Sequence, residues 1–433
     1  MKTTNILVLL AAAINSSRAA PAQNTGLKFS AETTHVSSPH VVHDMRRVVR
    51  KFLDQATVKA LQSAVLSERE ENGTVVTIPE PNDEGVDNLY LTEVSIGTPP
   101  QKLMLDFDTG SSDLWVFSSD TSASQVKGQT LYKPSGSSSA KRLDGQKWSI
   151  HYGDNSTSSG IVYSDVVTIG GVSVENQAVE SAQQVSESFS SDKQNSGLLG
   201  LALDKGNTVR PSKQKTWFSN IMPRLSEPLF TVRLRHQASK SSLPLRPPVP
   251  TAMVVASLTL TPLAEGSYNF GYIDESQYSG PISYTPASTD ELGHRLFQST
   301  GYAVGNGNFK KHTITGTADT GTSLLILPLE VVRTYWAAVP SAQPARLPQN
   351  AGYVWLFPCD TTLPDFVFAV GSGRVTVPGK DINYAKNDGS SCVGGIAYYS
   401  GLNGLAIFGD VSLKSGFVVY DDGNKRLGWA KGL

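Results

Sequence analysis

Asp108-Thr109-Gly110-Ser111-Ser112 and Asp319-Thr320-Gly321-Thr322-Ser323 are nearly the same pentapeptide, with one copy in each half of the chain. Apolar residues precede both copies, and an apolar stretch follows each, at residues 114–117 and 324–327. The duplication predicts two similar lobes, each of which contributes one carboxylate to a shared site. Two facing carboxylates cannot both ionise easily, so one is expected to hold a proton while the other acts as a base. Such a pair is suited to splitting an amide bond with water.

The composition favours a strand-rich protein. Of the 433 residues, 39% are hydrophobic and only 17% are charged, and glycine, serine and threonine are abundant. Short apolar or alternating segments separated by turn residues predict strands at residues 89–96, 162–169, 229–234, 282–285, 366–370 and 417–420. Because strands and helices do not alternate as in doubly wound folds, the predicted fold class is all-β. The formal net charge of −1 argues against a nucleic-acid partner.

The N-terminus predicts export from the cell. Lys2 precedes an apolar run at residues 6–14 that is too short to span a bilayer, and small residues follow at a cleavage site near position 19. We therefore interpret residues 1–19 as a signal peptide and the protein as secreted and extracellular. No later segment is long and apolar enough to predict a membrane anchor.

The chain has two cysteines, Cys359 and Cys392. In a secreted protein they are expected to form a disulfide bond. The alternative, two free buried thiols, would be favoured in the cytosol. A zinc site is poorly supported because no cluster of histidines and cysteines stands beside them.

Residues 20–73 are interpreted as a propeptide. Residues 44–59 contain five basic residues against two acidic ones, and residues 58–66 predict an amphipathic helix. Acidic residues outnumber basic ones in the remaining chain, so the cations of this leader are expected to lie against an acidic cleft at neutral pH. Low pH would protonate carboxylates and weaken that contact. The alternative is a solvated linker.

The repeated Asp-Thr-Gly resembles the pepsin-like aspartic endopeptidases. A second duplication supports the resemblance, because apolar segments containing glycine follow the two copies at residues 197–201 and 405–410. The similarity covers nearly everything from residue 89 to the end, and it is greatest to the secreted fungal aspergillopepsin and penicillopepsin group. It implies a bilobal fold of two similar β-barrel-like lobes, residues 74–265 and 266–433, with the active-site cleft between them.

The resemblance also implies how the site works. Asp108 and Asp319 would be the catalytic pair, acting through a water molecule without a metal, an organic cofactor or a covalent intermediate. Residues of the two loops would support the pair through hydroxyl and amide hydrogen bonds: Thr109, Gly110, Ser111, Thr320, Gly321 and Thr322. The implied partners are protein and peptide substrates and pepstatin-type inhibitors, and the implied state is a monomer with an acidic pH optimum.

Residues 150–154 resemble the flap, a hairpin that closes over substrate. Tyr152 would hydrogen-bond towards Trp115 and, with Gly153 and Asp154, line the pocket for the residue before the scissile bond. Asp154 implies that lysine is accepted there beside a mainly hydrophobic preference, since a carboxylate pairs with an ammonium group. The alternative is an ordinary exposed aromatic side chain on a hairpin.

Two sequons predict N-glycosylation, at Asn72 and Asn155. The first lies close to the expected processing point. The second lies in the predicted flap, where a glycan would crowd the cleft.

One segment departs from the family pattern. Residues 238–265 form a proline-rich insert that is a poor strand or helix, near the end of the first predicted lobe. It is interpreted either as a surface loop near the lobe junction or as an unremoved intron in the coding sequence.

Other functions fit less well. Residues 106–109, Asp-Phe-Asp-Thr, also resemble the D-x-D-x-T pattern of magnesium-dependent aspartyl-phosphate phosphatases, with the threonine one position early, but that interpretation leaves the second Asp-Thr-Gly unexplained and requires an α/β fold. No G-x-S-x-G or H-E-x-x-H motif is present. The remaining alternative is a catalytically silent pepsin-like binding protein, although such relatives usually lose an aspartate or the flap tyrosine.

Overall fold

The computed structural model describes residues 71–79, 87, 89–236, 265–347 and 351–433. The predicted signal peptide, nearly all of the predicted propeptide and residues 238–264 of the predicted insert lie outside these residues. Within the described ranges, no helix has the length and apolar character needed to cross a membrane.

Strands dominate the described chain, which confirms the all-β prediction. Its strands are β1 Gly73–Pro79, β2 Tyr90–Ile96, β3 Gln101–Asp108, β4 Leu114–Val116, β5 Lys141–His151, β6 Thr157–Ile169, β7 Val172–Val185, β8 Gly197–Gly200, β9 Leu229–Arg233, β10 Gly266–Phe270, β11 Tyr278–Thr289, β12 Arg295–Val304, β13 Lys310–Ala318, β14 Leu325–Ile326, β15 Gln343–Arg346, β16 Gly352–Pro358, β17 Phe366–Val370, β18 Gly373–Val377, β19 Asn383–Asp388, β20 Ser391–Gly394, β21 Ile396–Tyr399, β22 Ala406–Phe408, β23 Gly416–Asp421 and β24 Arg426–Gly432. Its α-helices are short: α1 Glu187–Ser191, α2 Trp217–Ile221, α3 Leu329–Trp336, α4 Gly379–Ile382 and α5 Asp410–Leu413.

The duplicated peptides lie in duplicated strand arrangements. In the first half, β3 pairs parallel with β8, which places Asp108 opposite Gly200, and β8 also pairs antiparallel with β4. In the second half, β13 pairs parallel with β22, which pairs antiparallel with β14. The same topology on both sides places each Asp-Thr-Gly loop over a short buried strand. This is the bilobal fold that the repeat predicts.

Six neighbouring antiparallel strands join distant parts of the chain in the order β1, β10, β9, β23, β24, β11. The predicted boundary between the lobes, at residues 265 and 266, therefore lies between two paired strands of this sheet, β9 and β10. The division of the chain at this point stays a prediction.

The hydrophobic core runs beneath the two loops. Phe107 and Phe408, next to the first and second loops, belong to one buried cluster, and Phe230 stacks on Tyr420 within it at 4.5 Å between ring centroids. A second cluster around Trp115 and its neighbours supports the β5–β6 hairpin. Each large side chain buried in this way stabilises the fold by roughly 1.5–3 kcal/mol, so the loops rest on rigid layers.

The predicted disulfide between Cys359 and Cys392 is confirmed. It joins the residue after β16 to β20, and these strands pair with Phe357 opposite Cys392. The bond closes a loop with a sequence separation of 33 residues in the second half of the chain.

Candidate active site

The first aspartate loop binds its own carboxylate. Strand β3 ends at Asp108, and the amide of Gly110 donates a hydrogen bond to Asp108 Oδ1 at 2.7 Å. The hydroxyl of Ser111 donates to Oδ2 of the same carboxyl group. Asp108 is only 5% exposed, so these donors replace most of the water that a surface carboxylate would bind.

The second loop repeats this arrangement. The amide of Gly321 donates to Asp319 Oδ1 at 3.0 Å, and the hydroxyl of Thr322 donates to Oδ2 at 2.7 Å. Asp319 is 7% exposed. Each aspartate therefore receives one amide and one hydroxyl hydrogen bond from its own loop.

Hydrogen bonds between their threonines connect the two loops. The amide of Thr109 donates to Thr320 Oγ1 at 3.1 Å, and the amide of Thr320 donates to Thr109 Oγ1 at 3.1 Å. Each hydroxyl in turn donates to a carbonyl at the end of the opposite strand, Thr109 to Ala318 and Thr320 to Phe107. Both threonines are buried, and these reciprocal bonds fix the distance between the loops.

Each loop's glycine lies against the aspartate of the other loop. A Cβ atom added at Gly110 would lie 2.6 Å from Asp319 Oδ1, and one added at Gly321 would lie closer still to Asp108 Oδ1. Only glycine leaves room for the two carboxyl groups to face each other at this distance. The structure thus brings together all eight predicted residues of the two loops.

The electrostatics of the pair favour a bound proton. Burial and the facing Asp319 carboxyl raise the pKa of Asp108 above its usual range, while the bonds from Ser111 and Gly110 lower it. Two further buried carboxyls lie nearby, and burial raises the pKa of both Asp106 and Asp410 well above the ordinary value. This acidic, desolvated surrounding disfavours two negative charges on the pair.

The β5–β6 hairpin carries the predicted flap residues at its turn, residues 152–156, which we call the flap tip. The indole Nε1 of Trp115 donates to the hydroxyl of Tyr152 at 2.8 Å, and the ring of Tyr152 packs on Phe189. Burial, followed by the charge of Asp108, raises the pKa of Tyr152 well above its usual value, so the phenol stays protonated. The phenol oxygen of Tyr152 accepts the bond from Trp115, so the phenolic hydrogen takes no part in it.

Among the remaining flap-tip residues, Gly153, Asp154 and Asn155 are exposed and Ser156 is buried. Asp154 Oδ1 accepts hydrogen bonds from the amide of Ser156 at 2.9 Å and from its hydroxyl at 2.6 Å. Gly153 and Asn155 are exposed, and Asn155 adopts a left-handed φ of 69°. The other predicted sequon residue, Asn72, is exposed directly before β1.

A buried carboxyl network behind the first loop was not predicted. The side-chain amide of Asn207 donates to Asp113 Oδ1 at 2.7 Å and to Glu180 Oε1 at 2.9 Å. Burial raises the pKa of both acids, and the side-chain amide of Asn207 bridges them. The sequence offered no clear signal for it, because Glu180 is one of two glutamates in β7, a strand with many polar residues.

No group of three or more histidine, cysteine, aspartate and glutamate side chains in the described part of the chain is arranged to hold a metal ion. The phosphatase interpretation of residues 106–109 also fails on fold, since it requires an α/β architecture. The arrangement is therefore a pair of desolvated carboxyl groups under a hairpin.

Known proteins are similar to this chain in sequence. A profile of the family described as eukaryotic aspartyl protease matches residues 89–245 and 253–432. Endothiapepsin of Cryphonectria parasitica is 49% identical over 358 residues, which are 82% of this chain and 77% of the relative. Aspergillopepsin-1 of Aspergillus pseudoglaucus is 40% identical over 431 residues, 99% of both chains, and penicillopepsin-2 of Penicillium janthinellum is 44% identical over 83% of this chain and 81% of its own length. The chain belongs to the eukaryotic aspartyl proteases, the pepsin-like aspartic endopeptidases.

Proposed function

We propose that this protein is a secreted endopeptidase that hydrolyses peptide bonds in proteins at acidic pH, with Asp108 and Asp319 as its catalytic pair. The observation that supports this most strongly is the mutual arrangement of the loops, in which the glycine of each loop makes room for the aspartate of the other. Two carboxyl groups held face to face share one proton. Family membership supports the same chemistry.

The mechanism follows from that shared proton. The ionised carboxylate takes a proton from water, and the water oxygen attacks the substrate carbonyl carbon. The protonated carboxyl donates its proton to the carbonyl oxygen, which yields a tetrahedral gem-diol. When the diol collapses, a carboxyl group protonates the leaving nitrogen and the carbon–nitrogen bond breaks.

The pH dependence follows from the same proton. Activity needs one proton on the pair, so it is lost at low pH when a second proton binds and at high pH when the shared proton leaves. Thr109, Gly110, Ser111, Thr320, Gly321 and Thr322 would hold the pair in position. These residues all donate to or lie against the two carboxyl groups and the opposite loop.

The substrate would lie as an extended peptide below the flap tip. Tyr152 and Trp115 would line a mainly hydrophobic pocket for the residue before the scissile bond, with Asp154 accepting lysine there. Pepstatin-type inhibitors would occupy the same cleft. We further propose a monomer that is made as a zymogen, with residues 1–19 as its signal peptide, residues 20–73 as its propeptide, and Asn72 and Asn155 as glycosylation sites.

The test is cleavage of denatured haemoglobin and of a peptide library between pH 3 and 6, after acid incubation, with and without pepstatin. Asp108→Asn and Asp319→Asn should each lower the rate by at least about a thousandfold, while the exposed Asp144→Asn leaves it unchanged. The cut sites test the lysine preference, which Asp154→Asn should remove. Absence of cleavage by folded, correctly processed protein would instead support a silent binding protein.

A further inference from the structure

The flap tip is fixed on its own side of the molecule by two sets of contacts. Tyr152 is bonded to Trp115, and the turn itself is closed by bonds from the amide of Asn155 to the carbonyl of Tyr152 at 3.1 Å and from the amide of Tyr152 to the carbonyl of Ser156 at 3.0 Å. All of these partners belong to the first half of the chain. They shape the tip and attach it beside Asp108.

A further bond joins the tip to the other half. The hydroxyl of Tyr399 donates to the carbonyl oxygen of Gly153 at 3.0 Å, across 246 positions of sequence. Tyr399 is the last residue of β21, which pairs with β14 directly after the second aspartate loop. Because Gly153 belongs to the first half of the chain and Tyr399 to the second, this bond joins the two halves at the flap tip.

The backbone around Tyr399 is held by the neighbouring strand β16. Tyr399 lies opposite Gly352 of β16, and the next residue, Ser400, donates to the carbonyl of Ala351 from its amide at 2.7 Å. The ring of Tyr399 lies over Gly401, where an added Cβ would be 2.8 Å from Cε1. The strand pairing and this ring contact restrict the side chain before its hydroxyl bonds, which lowers the entropy cost of forming that bond.

We propose that Tyr399 is a positioning residue that latches the flap tip closed, so that a peptide must break the Tyr399–Gly153 bond to enter or leave the cleft. The inference rests on the proposed function, in which this cleft binds an extended peptide. In this proposal the bond forms whether the cleft is empty or filled, so it slows entry and exit equally and changes affinity little. A single neutral hydrogen bond of this kind corresponds to a factor of roughly 2 to 10 in rate.

The matched variants are Tyr399→Phe, which removes only the latch hydroxyl, and Tyr398→Phe. Tyr398 precedes Tyr399 in β21, and its ring stacks on that of Tyr353 with 6.5 Å between the ring centroids. Tyr398→Phe therefore controls for the loss of a tyrosine hydroxyl on the same strand. Association of pepstatin with the acid-incubated protein is followed by stopped-flow tryptophan fluorescence, and dissociation by competition. Tyr399→Phe should raise both rate constants by roughly 2- to 10-fold with Kd changed less than about twofold, and Tyr398→Phe should leave both as in the wild type.

A second readout needs no ligand. The amides of Tyr152, Asn155 and Ser156 are hydrogen-bonded in the closed tip, so their hydrogen exchange in the unliganded protein should accelerate by the same factor in Tyr399→Phe. The latch would be overturned if neither amide exchange nor the pepstatin rate constants changed. It would also be overturned if only the dissociation rate constant rose, so that Kd rose by the same factor. If pepstatin does not bind but exchange accelerates, the latch stands and the proposed function fails.

Discussion

The two aspartate loops have nearly the same hydrogen-bond geometry and different electrostatic surroundings. In both, a glycine amide and a hydroxyl bind the aspartate, and a threonine reaches across to the opposite loop. Two residues before Asp108 lies the buried acid Asp106, whereas Thr317 occupies the matching position before Asp319. The two loops therefore share the hydrogen-bond donors that bind the aspartates, and only the first loop has a buried acid two residues before its aspartate.

The contrast continues on the far side of each loop. Five residues after Asp108 comes Asp113, bonded through Asn207 to Glu180, whereas the matching position in the second half is Leu324. The first half thus has a buried acid network and the flap. The second half has the disulfide and the tyrosine that bonds to the flap tip. Four predictions test which of these features are shared requirements and which are particular to one half.

The largest expected change is in stability and affects one half only. Cys359→Ala with Cys392→Ala removes the disulfide and should lower the free energy of unfolding by roughly 3–4 kcal/mol, because the 33-residue loop is no longer closed in the unfolded chain. Chemical denaturation measures this loss. Cleavage at 25 °C should persist, since the bond lies outside the aspartate loops. Loss of cleavage in a protein that remains folded would mean that the disulfide also positions the second loop.

Exchanging each loop glycine for alanine tests the shared geometry. Gly110→Ala places a Cβ 2.6 Å from Asp319, and Gly321→Ala places one even closer to Asp108. Neither glycine has a positive φ, so the effect is steric and not a backbone penalty. A displacement of about 1 Å should lower kcat/KM about a hundredfold in both variants.

The matched control for these variants is Gly136→Ala, whose nearest neighbour would be 3.7 Å away. It should retain full activity. If only one of the two loop variants loses activity, the loops are not equivalent supports of the pair.

Removing one hydroxyl donor from each loop tests the two hydrogen bonds to the outer oxygens. Ser111→Ala and Thr322→Ala each delete a bond to an aspartate Oδ2. A hydrogen bond to a charged group contributes about 1.5–3 kcal/mol, so each variant should lose roughly tenfold or more in kcat/KM. Thr322→Ser keeps the hydroxyl and should recover most of the activity. Equal activity of Thr322→Ala and Thr322→Ser would exclude a role for this bond.

The sequence was sufficient to predict the contacts between residues that the repeat itself marks. Each Asp-Thr-Gly has its own donors within three positions, and the symmetry of two copies implies that they face each other. The all-β class followed from composition and turn residues, and the disulfide from two cysteines in a chain that was predicted to be exported. These inferences rest on local patterns.

What the sequence could not give depends on distant partners. The pairing of β9, β10 and β23 in one sheet joins segments nearly two hundred residues apart, and no local pattern specifies it. Glu180 and Asn207 look like ordinary polar residues until the fold buries them beside Asp113. Tyr399 has no motif around it, and its contact with Gly153 is visible only when both halves are assembled.

The smallest expected effect concerns the buried acid Asp106 behind the first loop. It tests the electrostatics of that loop separately from its hydrogen-bond geometry. Burial, and then the neighbouring Asp108, Asp410 and Asp319, raise the pKa of Asp106 well above 3.8. The folded protein therefore keeps a proton on Asp106 at a pH where the unfolded chain has lost it. Since the native state binds more protons, the stability from this group is complete below the unfolded pKa and declines as pH rises towards the folded pKa.

Asp106→Asn imitates the protonated side chain at every pH. At pH 3 its free energy of unfolding should be close to that of the wild type, and between pH 4 and pH 5 the difference should move in favour of the variant by about 1.4 kcal/mol. Urea midpoints from pH 3 to 5 measure this, with the exposed Asp144→Asn as the control. Parallel curves for wild type and Asp106→Asn would mean that Asp106 ionises in the folded protein. The second loop has Thr317 at this position, and its nearby buried acid, Asp410, comes after β22 instead. A change in slope would therefore show that the first half contributes a titrating acid of its own beside the pair.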